Sequence, residues 1–315
     1  MPIIDGALEM RQVFYQSVGR LAAQDERVVV LDADLSSSSG ANAFAANYPD
    51  RFFNCGIQEA NMVGVAAGLS AGGFIPFVHS FAAFISRRAL DQVFVSCAYA
   101  GLDVRLVGSD PGLAGHANGG THMALEDVAL MRSIPGVVIV DFSDPGMIDP
   151  VLDASMRQPG VYYFRLFRKT RENLYPQGTE FELGTAYIAK DYGNDATIIS
   201  AGFIGMREAL KAADLLRRDG VAVRVLDMFT IAPLDAGAVL AAAAQTRAIV
   251  TLDNHSITGG LGSAVAEILA GRTATPFRRL GATGFGEVGT LDYVLEKFGL
   301  NAAAVAATVR GLLGV

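Results

Sequence analysis

Cysteine is nearly missing from this chain. Cys55 and Cys97 are the only two, and neither belongs to a CxxC or CxxH pattern. Neither a disulfide framework nor a thiolate metal site finds support, and reduced structural thiols in a cytosolic protein are expected. Tryptophan is absent and histidine occurs four times. Only 18% of the 315 residues are charged, and acids outnumber bases to leave a formal charge of -7. A nucleic-acid partner therefore has no electrostatic support. With 51% hydrophobic residues the chain is too apolar for disorder and should bury a large core, a subunit interface, or both.

Uninterrupted apolar runs are also scarce. The stretch from Asn61 to Ser86 lacks charge, but Gly72, Gly73 and Pro76 break it. It reads as helix, turn, strand and helix start buried in protein, so no membrane span is expected. The opening MPIIDGALEMRQ has no basic segment leading into an apolar one. No secretion signal is expected, and the cytoplasm is the expected compartment.

What is present alternates. Short apolar strands, such as Val28–Leu31, Ile75–Val78, Val104–Val107 and Val161–Leu166, lie between amphipathic or small-residue helices. The pattern predicts an α/β fold of two domains, each a mostly parallel sheet with helices on both faces. Between Arg168 and Gly184 the text turns polar and weakly periodic, and the alternation then restarts. The expected division is residues 1–175, a linker over 176–190, and a second domain over 191–315.

Two segments carry chemistry. Glu59 opens the run NCGIQEANMVGVAAGLSAGG and is its only charged residue. A glutamate in a first helical turn is ordinarily a dipole partner. A lone carboxylate in so apolar a run otherwise needs a task or a partner. Phe81 and Phe84 follow at helical spacing and are expected to supply an aromatic wall. The loop DPGLAGHANGGTH, Asp110 to His122, holds two of the four histidines. Its spacing matches no zinc pattern, and no metal ligand is expected on this chain.

GIQEANMVGVAAGLSAGG is similar to the glutamate motif of the pyrimidine-binding domain in thiamine-diphosphate enzymes. NGGTHMALEDVALMRSIPGVVIVDFSDP, VRVLDMFTIAPLD and TGGLGSAVAEIL together resemble the C-terminal half of transketolase over nearly the whole chain. That resemblance implies that Glu59 bonds N1′ of the coenzyme's aminopyrimidine and that Phe81 and Phe84 enclose the ring. It implies that His122 faces the reacting carbonyl. LDADLSSSSG resembles the family's A-D-L-x-x-S, which puts Asp34 near the thiazolium and Ser38 near the sugar. Arg11, 23 residues ahead of Asp34, and Arg165, in YYFRLFRKT, stand where the family contacts substrate phosphate.

Three positions depart from that family. Asp110 replaces a phosphate-binding histidine of ordinary transketolases. The deoxyxylulose-phosphate synthases also have aspartate there, but follow it with an arginine where this chain has Pro111. Asn118 replaces a substrate-hydroxyl aspartate, and His116 replaces a glycine. These departures weigh against the usual pentose phosphates. His116, Arg11 and Arg165, with Asp110 and Asn118, are expected to handle another anionic or hydroxylated sugar.

The GDG…N motif that holds Mg²⁺ and the diphosphate in this enzyme class occurs nowhere in the chain. The resemblance therefore implies a split enzyme, with an N-terminal subunit supplying metal and diphosphate and an α2β2 assembly. The expected activity is ketol transfer, moving two carbons from a ketose to an aldose or aldehyde. The alternatives are the β subunit of a 2-oxoacid dehydrogenase E1 component and a non-catalytic assembly subunit.

Overall fold

The computed structural model describes residues 8–315. Residues 1–7 lie outside the described residues, and with them most of the segment read for a secretion signal. Strands β1 (Val28–Asp32), β2 (Phe52–Asn54), β3 (Ile75–Phe81), β4 (Val104–Ser109), β5 (Val138–Asp141) and β6 (Val161–Leu166) come from the first half. The second half gives β7 (Tyr187–Asp191), β8 (Ala196–Ser200), β9 (Val223–Asp227), β10 (Thr230–Ala232), β11 (Ile249–Ser256) and β12 (Phe277–Ala282). One sheet runs β10-β5-β6-β4-β3-β1-β2 and the other β12-β11-β8-β9-β7. Only the edge pairs β10–β5 and β7–β9 are antiparallel.

Helices pack on both faces, because the strands are apolar on both sides. Within β1, Val28 and Val30 join one core while Val29 and Leu31 join the other. The first sheet carries α1 (Met10–Gln24), α2 (Ser36–Ser39), α3 (Asn42–Asn47), α4 (Glu59–Ala71), α5 (Ala82–Asp91), α6 (Asp127–Arg132) and α7 (Ile148–Arg157) in its connections. The second carries α8 (Gly202–Arg218), α9 (Ala236–Gln245), α10 (Leu261–Leu269), α11 (Leu291–Lys297) and α12 (Ala302–Leu313). This is the expected α/β architecture. Among the described residues no helix is long and apolar enough to cross a membrane.

The differences from the sequence reading are local. The serine run in LDADLSSSSG is the short helix α2, closed by Gly40 in the left-handed region. Phe81 and Phe84 do not share a helix, because Phe81 is the extended last residue of β3 and α5 begins at Ala82. That helix widens into a π-type segment over Gln92–Tyr99. The strand β7 begins inside the expected linker. The strand β10 belongs to the second half of the chain, yet it adds to the first sheet, pairing Thr230 with Val140 and Ala232 with Ile139.

Strand order positions the site. From β1 the chain moves to the edge strand β2, then returns to β3 on the other side of β1. That reversal opens a crevice beyond the carboxyl ends of β1 and β3. Asp34, Asn54, Glu59, Phe81, Asp110 and Arg168 all lie at or just past strand ends on that side.

Candidate active site

Glu59 heads α4, just beyond β2, and is 2% exposed. Small residues in α4 let the helix press against β3, which draws its first side chain into the crevice wall. Ser80 of β3 donates to Glu59 Oε1 at 3.1 Å. Arg88 of α5 donates from Nη1 to both carboxylate oxygens, at 3.1 and 3.0 Å. The Arg88 guanidinium lies 4.0 Å from the centre of the Phe84 ring. Its side chain is 46% exposed, so the acid is reached from the crevice through Arg88.

Three rings gather beside this pair. Phe81 and Phe84 meet edge-on at 5.8 Å between centroids, and His122 lies 5.0 Å from Phe84 and 6.0 Å from Phe81. His122 comes from the far end of the 110–122 loop, with Nδ1 2.9 Å from Thr121 Oγ1. A buried carboxylate, a nitrogen donor stacked on an aromatic face, and an imidazole thus share one wall.

A second network adjoins the first through Phe81. Arg168, just past β6, lies 4.8 Å from the Phe81 ring centre. It donates to Asp110 Oδ2 through Nε at 2.7 Å and Nη2 at 2.5 Å, and to the Ser38 carbonyl at 2.8 Å. Arg11 of α1 reaches the same Ser38 carbonyl at 2.5 Å and pairs with Glu9 at 2.6 Å. Two guanidinium groups thus converge on one turn. Asp110 itself adopts φ of 51°, a conformation that costs an ordinary side chain energy and marks functional loops. Asp34 is likewise left-handed, at φ of 63°, and accepts a bond from Asn54 Nδ2 at 2.9 Å.

Beneath this network His79 of β3 is completely buried, with Nδ1 2.7 Å from the Tyr15 hydroxyl. Burial pushes its pKa down to about 3, helped by the positive charge of Arg168, so the ring is neutral. Its Nε2 has no hydrogen-bond partner among the described residues.

Two family models cover most of the chain. "Transketolase, pyrimidine binding domain" matches residues 6–173, and "Transketolase, C-terminal domain" matches 184–305. The chain belongs to the transketolase family. A 6-deoxy-6-sulfo-D-fructose transketolase subunit from a Clostridium species is 44% identical, over 94% of this chain and 92% of the relative. Human transketolase is 33% identical over 96% of this chain, which spans only 49% of that protein. A solved split-gene transketolase, described as an inactive beta4 tetramer, aligns with TM-score 0.87 at 36% identity, covering 98% of this chain and 99% of that one. The Campylobacter jejuni transketolase shares the fold, with TM-score 0.81 at 18% identity. The chain thus corresponds to the half of transketolase that carries the pyrimidine-binding and C-terminal domains.

Against that family's expectations, the structure gathers Glu59, Phe81, Phe84 and His122 on one side and Arg11, Ser38 and Asp110 on the other. Asp34 lies exposed just past β1, bonded to Asn54. His116 is turned toward the C-terminal domain, with Nδ1 2.9 Å from the Gly289 carbonyl. Asn118 is exposed beside it. Arg165 requires a correction. It is fully buried between the domains, bonded to Asp127 at 2.9 Å, to Asp141, and to the Asn254 carbonyl at 3.0 Å. All three guanidinium nitrogens of Arg165 are engaged in this joint.

The arginine that packs on Phe81 and pairs with Asp110, Arg168, was missed. The signal was available: Arg165 falls inside the strand Val161–Leu166, whose residues are buried on both sides, whereas Arg168 lies past its end. Arg88 was missed because nothing in the sequence ties it to Glu59, 29 positions away.

Proposed function

We propose that this chain is the pyrimidine-binding subunit of a thiamine-diphosphate-dependent transketolase. It would help move a two-carbon ketol unit from a ketose to an aldose or aldehyde. The observation that carries this reading is the buried Glu59 carboxylate beside the Phe81, Phe84 and His122 rings. The Arg88 guanidinium offers a fit test. It is a flat, proton-bearing nitrogen group that rests on Phe84 and bonds Glu59. A protonatable aminopyrimidine presents the same chemistry to the same acceptor.

When bound, the coenzyme supplies the electron sink for the carbanion. Glu59 shares a proton with the ring nitrogen in a site kept from water. Phe81 and Phe84 hold the ring and exclude solvent. His122 moves a proton at the carbonyl oxygen of the substrate. Asp34 and Ser38 line the approach, and His116 and Asn118 border it. The chain would divide into a pyrimidine-binding domain and a C-terminal domain, joined through the segment between β6 and β7. A partner subunit would hold Mg²⁺ and the diphosphate, in an α2β2 enzyme of the cytoplasm.

The donor we infer is a ketose with a singly charged terminal group. Arg168 and Arg11 attract an anion, but Asp110 and Glu9 neutralise much of their charge. A phosphate ester is largely dianionic above pH ~6, whereas a sulfonate keeps one charge. The name of the Clostridium relative, a sulfofructose transketolase subunit, points the same way. Co-purification with the partner half, then steady-state kinetics on a ketose panel, tests both statements. Ketol transfer that needs both subunits and favours sulfofructose is expected. Turnover of pyruvate instead would favour a 2-oxoacid dehydrogenase. Xylulose 5-phosphate and ribose 5-phosphate as the best pair would refute the substrate reading.

A further inference from the structure

We propose that Asn254, contributed by the C-terminal domain, is a positioning residue for ketol transfer. Its side-chain amide fixes the start of the 110–122 loop, and through it the Asp110–Arg168 pair. The proposal rests on the functional reading above for its kinetic meaning, and on geometry alone for the clasp.

After β4 the Asp110 amide still donates to the Leu166 carbonyl of β6 at 2.9 Å, but the Pro111 carbonyl and the Leu113 amide beyond it have turned away from the sheet. Asn254 bonds both of these groups from the other domain. Its Oδ1 accepts from the Leu113 amide at 2.8 Å, and its Nδ2 donates to the Pro111 carbonyl at 3.1 Å. One end requires an acceptor and the other a donor, so a single orientation of the amide satisfies both. Asn254 is 6% exposed, and its own carbonyl accepts from Arg165 at 3.0 Å. The clasp is therefore itself held in place by the buried ion cluster between the domains.

Contact at this point is unusually close. Gly112 has φ of 58°, and a Cβ there would overlap the Asn254 carbonyl. Pro111, the residue whose carbonyl is gripped, directly follows Asp110. The left-handed backbone of Asp110 is thus set from one side by Arg168 and from the other by Asn254. Further along, Gly289 donates to the His116 carbonyl at 3.1 Å, so the C-terminal domain holds this loop twice. The C-terminal domain thereby sets the start of a loop that belongs to the first domain.

The test uses the reconstituted two-subunit enzyme with Asn254→Ala, and with Asn254→Ser as a milder variant that can keep the bond from Leu113. Hydrogen exchange is read over residues 110–123 and over β5 and β6. Exchange in the loop should rise by ~10-fold for each bond lost, with the strands unchanged. The KM for sulfofructose should rise by ~10-fold while that for the neutral ketose erythrulose moves little, because only the anionic donor depends on Arg168. Asn254→Ser should fall between Asn254→Ala and the parent. Unchanged loop exchange would overturn the proposal, and so would an equal loss on both donors. If the parent enzyme transfers no ketol unit at all, the functional reading fails, and the exchange measurement still decides the clasp.

Discussion

Replacing Arg165 with methionine isolates what the buried joint contributes. Arg165 is 0% exposed and serves Asp127, Asp141 and the Asn254 carbonyl at once. Tyr163, Asp253 and His255 pack around the same cluster, with His255 Nε2 3.9 Å from Asp127. Methionine fills much of the volume but strands the carboxylates. Breaking a buried pair from one side costs about 3–5 kcal/mol. At roughly 2 °C per kcal/mol for a chain of this size, the melting temperature should fall by about 6–10 °C.

The deficit should also depend on pH. Burial already pushes the Asp141 carboxyl up to about 6, against the pull of Arg165. A raised folded pKa means that its stabilising proton is fully present below the unfolded value and is lost as pH rises through about 6. Without Arg165 the folded carboxyl holds its proton to higher pH still, so the variant falls further behind as pH climbs. Each unit in that window adds up to about 1.4 kcal/mol for one group. Thermal or denaturant unfolding at pH 5 and pH 8 measures this. A deficit below about 1 kcal/mol, or one equal at both pH values, would refute the account of the joint.

Glu59→Gln keeps the bond from Ser80 but gives up proton sharing. It should lower ketol transfer by the reconstituted enzyme by about 100-fold or more, with the fold intact by circular dichroism. Asp110→Asn unmasks the charge of Arg168. The ratio of kcat/KM for a phosphorylated over a sulfonated ketose should then rise by roughly 10-fold, and an unchanged ratio would reject Asp110 as the discriminator. His79 has the opposite sign from Asp141. Its folded pKa is depressed to about 3, so its contribution is present above the unfolded value of 6.5 and is lost as pH falls. His79→Gln should therefore lose less stability than the parent between pH 7 and about pH 4.5 when unfolding is measured at both.

Much of the crevice was legible in the sequence, and the reason is local. Glu59, Phe81, Phe84 and His122 sit in uncommon words: a lone acid in an apolar run, and histidines in a glycine-rich loop. Strands such as Val28–Leu31 and Ile75–Val78 were legible because unbroken apolar runs between polar turns have few other homes. Arg165 and Arg168 show where this stops. Both are arginines three residues apart, and only the end of β6 decides which one enters the joint between the domains and which packs on Phe81. Long-range partners such as Arg88 with Glu59, or Asn254 with Leu113, leave no mark in either local segment. Strand β10 was hidden for a related reason, since a three-residue edge strand has too little pattern to reveal which sheet it joins.

That strand bears on how the gene could be cut or fused. Thr230 and Ala232 close the outer edge of a sheet whose other members all come before residue 167. A fragment truncated after the linker would leave β5 with a raw, unpaired rim, the kind of edge that recruits stray strands. Proteolytic nicking near Gly178 should yield two pieces that stay clasped through a native column, parting only in denaturant.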